Sequence, residues 1–289
     1  MNEKIEKSKM ALEKIELKEI MDNSVFMDNA FLKQMSKLTL TETKIVRFLI
    51  MKVRNVDDEL KEVEIDIKTF ADLIGISPQN LYSGSGGKNE KDICRSLMKK
   101  DIYLEDPNDP DRWIVFGWLA YADHERGKLK LKLNEKMKDY LLFLKSHFTA
   151  YRFSEIAAFR SVYSIRIYEL IFWALSEKQI KKPTDNEQRK VYLPLDLLKK
   201  YLGVEDKYQK ISHFKARVIA PAMEDINERS EEYRVTCEPD KVGHSIVGFF
   251  FTIETKIGYD ERIRREKMTK QLTLDDYVPE ARTVRVIPD

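Results

Sequence analysis

Cysteine is almost absent: two residues in 289, Cys94 and Cys237, far apart and each among apolar neighbours. No Cys-x-x-Cys pair occurs, so the expectation is a reduced, cytoplasmic chain with two structural thiols. Histidine is nearly as scarce. The four histidines are scattered, which leaves no zinc-ligand spacing, and neither a metal site nor any other cofactor is expected. Two histidines flanking one residue are also missing, so the thirteen tyrosines have no metal with which to nick DNA. Long apolar runs are lacking too. The longest, Ile165 to Leu175, carries Arg166 and Glu169 and is too short for a bilayer. The first nineteen residues alternate Lys and Glu and have no apolar core of a secretory signal; no membrane partner is expected. Finally, the formal charge is only +2. Any nucleic-acid signal must therefore lie in where the charges sit.

Catalytic motifs fail on inspection. Gly86-Gly87-Lys88-Asn89 looks like a phosphate loop, but Tyr82 stands where the first glycine is needed and Asn89 where a magnesium-binding hydroxyl is needed. Acidic clusters such as Asp57-Asp58-Glu59 and Glu231-Glu232 read as solvated turns. The chain is expected not to be an enzyme.

What is present is periodicity, and it repeats. Residues 3–21 suit a solvated helix with sparse apolar positions; residues 1–23 form a charged N-terminal segment. Thr39 or Thr41 can cap a helix carrying Ile45, Val46, Leu49 and Val53. Val63 to Ile67 alternates as a strand. Lys68 to Ile74 reads as a short helix stopped by Gly75. After the glycine-rich loop 83–87 comes a helix from Glu90 to Lys100, then three strands: Ile102–Leu104, Trp113–Leu119 and Lys128–Leu133. The second half follows the same order. Val162 to Leu175 is a helix apolar almost all round. Val191–Leu193 is a strand, and Leu195 to Leu202 is a helix opened by Pro194 and stopped by Gly203. A long helix runs from Tyr208 to Glu228, and Tyr233–Cys237 with Ile246–Ile253 forms a hairpin, with turns at Pro239-Asp240 and Gly243. Lys178 to Lys190 is an internal loop. Leu73-Ile74-Gly75-Ile76 aligns with Tyr201-Leu202-Gly203-Val204, and Phe70 with Leu198. Helix, strand, helix, helix, hairpin, twice over, predicts an α+β chain of tandem winged helix-turn-helix domains made by internal duplication. The expected limits are 24–148 and 149–256, with the boundary near Ser146 to Tyr151 and a tail over 257–289.

One run concentrates positive charge. Lys207 to Met223 (KYQKISHFKARVIAPAM) contains no acid, although 49 of 289 residues are acidic. Phe214, Val218, Ala222 and Ile226 follow helical spacing and should face the core. Lys207, Gln209, Lys210, His213, Lys215 and Arg217 are then free for DNA, lysines on phosphates and Arg or Gln on base edges. Pro221 removes one N–H, so a bend or break is expected there. The first half has a weaker counterpart in Lys88, Lys91 and Arg95, with Lys99 and Lys100 further along, interrupted by Glu90 and Asp92. Phe249, Phe250 and Phe251 fall in a strand and read as core and interface rather than stacking platforms.

These residues resemble a known family. Ser161-Val162-Tyr163-Ser164-Ile165-Arg166-Ile167-Tyr168-Glu169-Leu170 is similar to the S-x-Y-S-x-R-x-Y-E-L signature of iteron-binding plasmid replication initiators. Phe214 to Ala222, followed by Glu224-Asp225-Ile226-Asn227, resembles that family's recognition helix. Lys241 to Ile246 resembles its last hairpin, and Leu38-Thr39-Leu40-Thr41-Glu42 the start of its first-domain helix. The resemblance spans residues 24–256. It implies a non-enzymatic initiator that binds directly repeated double-stranded DNA at an origin as a monomer. It also implies a dimer that binds an inverted operator and represses its own gene, and recruitment of host replication proteins. Under it the first domain serves dimerisation and secondary DNA contact, and the second the main recognition. The glycine-rich insert 83–87 departs from the family and puts first-domain DNA contacts in question. Gln271-Leu272-Thr273-Leu274-Asp275 partly resembles the Gln-Leu-x-Leu-Phe peptide that binds the sliding clamp, with Asp275 where the aromatic belongs; Gln271, Leu272 and Leu274 are its candidate contacts. A winged-helix repressor without origin function, and a nickase or helicase, are the rival readings.

Overall fold

The computed structural model describes residues 24–28, 37–53, 58–75, 77–79, 89–106, 109–142, 148–185 and 187–275, the last ten of them by backbone alone. The expected helix over 3–21, the glycine-rich loop 83–87 and Lys88 lie outside these residues.

The chain contains the same unit twice. The first copy runs α1 (Leu40–Met51), β2 (Val63–Asp66), α2 (Ile67–Ile74), α3 (Glu90–Lys99), β3 (Asp101–Asp106), β4 (Asp109–Gly117), β5 (Leu119–Glu125) and β6 (Lys128–Leu133). The second runs α6 (Val162–Glu177), β8 (Gln188–Pro194), α7 (Leu195–Leu202), then α8, then β9 (Tyr233–Val242) and β10 (Ser245–Thr255). Helix α8 starts at Ile211–Phe214, widens to a π-helical stretch at Lys215–Ile219 and continues as Ala220–Arg229. In each copy the strand before the helix pair joins the final hairpin in an antiparallel sheet of identical order, β2-β6-β5 and β8-β10-β9. The first helix of each pair is stopped by a left-handed glycine, Gly75 at φ 72° after α2 and Gly203 at φ 67° after α7. That backbone conformation is open to glycine at no steric cost. These are two winged-helix domains.

Caps explain the helix starts. Thr39 accepts from the Glu42 N–H while the Glu42 carboxylate accepts from the Thr39 N–H, a complete capping box. Asp66, Asn89 and Ser161 cap α2, α3 and α6. Between the copies, β7 (Phe148–Arg152) pairs antiparallel with β1 (Ser24–Asp28), and α5 (Phe153–Ala158) follows. The stretch expected to hold the domain boundary is thus a strand paired back to the start of the described chain. A short helix, α4 (Lys138–Leu141), precedes it, and α9 (Lys256–Asp275) extends the chain beyond β10. The core is continuous through both copies. Helix α6 lies at its centre, with buried residues on every face, Ile165, Tyr168, Leu170 and Phe172 among them.

Four details differ from expectation. The run Trp113 to Leu119 is not one strand. It breaks at Trp118, whose indole is buried; β4 pairs with β3 as a separate sheet, while β5 joins β6. Pro239 and Asp240 do not turn the chain but lie within β9, opposite Phe249 and Gly248. Strand β9 is an edge strand, where a residue without an N–H is tolerated. Helix α8 begins at Ile211, not Tyr208, because Tyr208 adopts φ 55°. Pro221 does not break α8. The Ala220 N–H donates to the Lys215 carbonyl, five residues back. This wide turn just ahead of the proline absorbs the lost donor and ring clash that a regular α-turn would suffer.

Candidate nucleic-acid interface

Helix α8 is held from inside by apolar contacts. Phe214, Val218, Ile219, Ala222 and Ile226 are buried. The Phe214 ring packs on Phe249 of the sheet at 6.2 Å and on Tyr208 at 6.3 Å. From behind, the Asp225 carboxylate accepts from the backbone N–H groups of Arg160 at 2.9 Å and Ser161 at 3.1 Å, and from Arg229 Nε at 2.9 Å. The helix is therefore docked against the start of α6. At its front, left-handed Tyr208 turns the chain, and its hydroxyl meets that of Tyr163. A non-glycine residue in this conformation costs of order 1–3 kcal/mol and persists only where its surroundings hold it; the Phe214 and Tyr163 contacts do so here.

The outward side is cationic. Lys207, Gln209, Lys210, His213, Lys215 and Arg217 are all exposed. Among the described residues no acidic side chain pairs with any of the four Lys and Arg residues of this group. Helix α8 also differs from α1, α2, α3 and α6 in having no side-chain cap, with Lys210 at the N-cap position. The His213 N–H donates to the Lys210 carbonyl at 3.0 Å, while the N–H groups of Ile211 and Ser212 have no side-chain cap, and a phosphate oxygen is a natural acceptor for them. This second anion-seeking element escaped the sequence reading; the visible signal was a lysine where Ser, Thr, Asp or Asn would cap. The β9–β10 turn projects Lys241, Val242 and His244 into solvent, Val242 at 69% exposure. The three phenylalanines alternate as a strand demands. Phe249 and Phe251 are buried, and half-buried Phe250 lies 5.1 Å from the Tyr192 ring with Lys190 Nζ 4.8 Å above it.

The first copy presents a weaker face. Lys91 and Arg95 are exposed on α3, while Ile93, Cys94 and Leu97 are buried. Asp92 stands exposed beside them, Glu90 lies 3.4 Å from His124 Nδ1, and Lys100 pairs with Glu42. Two sites are therefore cationic, one strongly and one mixed. The hairpin β3–β4 adds an apolar surface that the sequence reading did not single out: Trp113 is 61% exposed, with Tyr103 stacked on it at 6.3 Å and Val115 alongside. Its signal was that both alternating faces of these strands are apolar. Gln271, Leu272 and Leu274 fall in α9 by backbone, and their side chains lie outside the described residues.

Among the described residues no group of three or more His, Cys, Asp or Glu is placed to hold a metal ion, and no helix is long and apolar enough to cross a membrane. Burial pushes the Cys94 thiol up to about 11, helped by Glu90, and the Cys237 thiol up to about 12. Neither has the depressed pKa of a reactive cysteine.

Two winged-helix domains, one of them with a cationic helix that lacks a side-chain cap, define a DNA-binding protein. A family model described as "Initiator Replication protein, WH1" matches residues 24–172, and one described as "Initiator Rep protein, WH2" matches residues 194–253. The chain belongs to this family of replication initiators. A replication initiation protein of Escherichia coli is 26% identical over 267 residues, covering 88% of this chain and 79% of that one. In fold, the chain is similar to the Pi initiator protein solved in complex with iteron DNA. The TM-score is 0.66 at 18% identity, covering 82% of this chain and 98% of that one.

Proposed function

We propose that this protein starts plasmid replication by binding directly repeated origin DNA, with α8 seated in the major groove as the main reader and α3 as a second contact. The observation that carries this reading is the exposed, acid-free run 207–223 on a winged-helix frame, with Lys207, Gln209 and Lys210 leading into α8 and His213, Lys215 and Arg217 on its first turns: the lysines for phosphates, Arg217 and Gln209 for base edges. Uncapped first-turn N–H groups would meet a further phosphate. The relative bound to iteron DNA supports the choice of repeats as the target. On this division residues 24–148 serve dimerisation and secondary DNA contact, and residues 149–256 the principal recognition.

The exposed Tyr103, Trp113 and Val115 sit on a two-stranded sheet with unpaired edges, a surface fit for a second copy of the chain. A dimer made there would repress its own gene from an inverted operator. The protein acts in the cytoplasm, catalyses no reaction itself and hands the opened origin to host replication proteins. The tail offers one contact for them: Gln271, Leu272 and Leu274 as a sliding-clamp peptide. A peptide of residues 267–280 should bind purified clamp, and its Leu272→Ala/Leu274→Ala form should not.

A footprint of the pure protein on the DNA flanking its gene tests the main reading. Protection repeated at a constant helical spacing in direct orientation supports it. A single inverted site with no direct repeats would leave a repressor, and cutting of supercoiled plasmid or hydrolysis of ATP would make it an enzyme.

A further inference from the structure

The two copies are joined by directional bonds between buried charged groups, not by apolar packing alone. Arg47 of α1 is fully buried and forks onto Glu169 of α6, Nε to Oε1 at 2.5 Å and Nη2 to Oε2 at 2.8 Å. Tyr151 of β7 completes the cluster: its hydroxyl accepts from Arg47 Nε at 3.1 Å and donates to Glu169. One turn before Glu169, buried Arg166 donates from Nη2 to the Leu38 carbonyl at 2.7 Å and from Nη1 to the Leu202 carbonyl at 2.8 Å. Leu38 leads into α1 of the first copy, and Leu202 ends α7, the helix that precedes α8 in the second. A single guanidinium thus ties the entry to α1 of the first copy to the end of α7 in the second. Helices α1 and α6 are equivalent members of the two copies, so the bonds link like to like.

A buried ion pair is a poor source of net stability, since removing both charges from water offsets most of their attraction. It is a good source of geometry. An apolar contact tolerates sliding, whereas a bidentate fork fixes distance and angle together. Arg47 Nη1 has no hydrogen-bond partner, a cost that an apolar pair of the same size would avoid.

We propose that Arg47, Glu169, Tyr151 and Arg166 are positioning residues that fix the separation and angle between α3 and α8, and so determine the spacing of the two base blocks that one protein molecule reads. The inference rests on the DNA-binding reading of α3 and α8. Its consequence is spacing discrimination. A duplex with one base pair inserted between the two protected blocks should bind the wild-type full chain about ten-fold more weakly than the native repeat, as a typical mismatch does. The Arg47→Met/Glu169→Met variant removes both charges at similar volume. It should bind the native repeat more weakly and lose the discrimination, its native-to-insert ratio falling to about three or less.

Arg166→Lys keeps the charge but not the two-carbonyl reach, and should behave alike. A general loss of stability would lower both affinities and leave their ratio unmoved. A folded variant of either kind that retains the wild-type ratio overturns the proposal. Loss of the cooperative unfolding transition in both variants overturns it as well, because the cluster would then hold the cores and not their mutual placement. Wild-type protein that binds neither duplex would instead refute the DNA-binding reading itself.

Discussion

Removing Lys207, Lys210 and Lys215 together should change how DNA binding responds to salt far more than it changes the fold. All three side chains are exposed and none pairs with an acid among the described residues. Alanine at such positions alters stability by about 0.5 kcal/mol or less each. Each lysine that meets a phosphate releases about 0.9 of a counterion, so the triple variant should lower the slope of log affinity against log salt by about 2.7. Between about 50 and about 200 mM salt, a fourfold change, the wild type should lose about 40-fold more affinity than the variant. That difference corresponds to about 2.2 kcal/mol. Fluorescence anisotropy on a labelled duplex, titrated at four salt concentrations, measures both slopes directly. Arg217 is left in place so that base recognition survives. Equal slopes for the two proteins, with equal melting temperatures, would show that this face does not lie on phosphates.

Three further outcomes follow from the structure. Burial works to raise the pKa of Glu42, but hydrogen bonds from Lys100, Ser96 and Thr39 outweigh it and hold the carboxylate below its ordinary 4.5. Its contribution is therefore present above 4.5 and lost as pH falls through the folded value. Glu42→Gln should lower the melting temperature clearly at pH 7 and converge with wild type as the pH falls through the folded value below 4.5; a deficit that stays constant with pH would contradict the assignment. Replacing Tyr103, Trp113 and Val115 by serine should shift sedimentation toward monomer while direct-repeat binding persists, and an unchanged dimer constant would place self-association elsewhere. With thiol pKa values of about 11 and about 12, both cysteines should react with a thiol reagent at pH 8 orders of magnitude more slowly in the native protein than in denaturant. Rapid native labelling would refute the raised thiol pKa values.

The duplication was legible because each copy repeats the same punctuation: an alternating strand, a short helix with two apolar anchors, and a stopping glycine. Phe70 and Leu198, Gly75 and Gly203 fall at equivalent places, as the alignment required. The outward face of α8 was legible from its buried partners, since Phe214, Val218, Ala222 and Ile226 leave one side free. The signature around α6 pointed to the family, but its physical work was hidden. Ser161 caps the helix, Tyr163 meets Tyr208, Arg166 bridges two carbonyls, Tyr168 donates to Glu155, and Glu169 takes Arg47. Apart from the Ser161 cap, which is local, those partners lie between 13 and 128 residues away, so no local pattern could name them. Pro239 misled, and so did Pro221 in so far as a break was expected, for a related reason. A proline signals an interruption locally, yet a π-turn in one case and an edge strand in the other accommodate it.

The most direct test of the account asks whether α8 carries initiation itself. A plasmid whose sole origin is the DNA flanking this gene is introduced into cells that supply the protein in trans. The wild-type chain should maintain the plasmid. A variant with Lys207, Lys210, Lys215 and Arg217 replaced by alanine, shown to melt at the wild-type temperature, should yield no transformants. Maintenance of the plasmid by that variant at wild-type copy number would contradict the central claim.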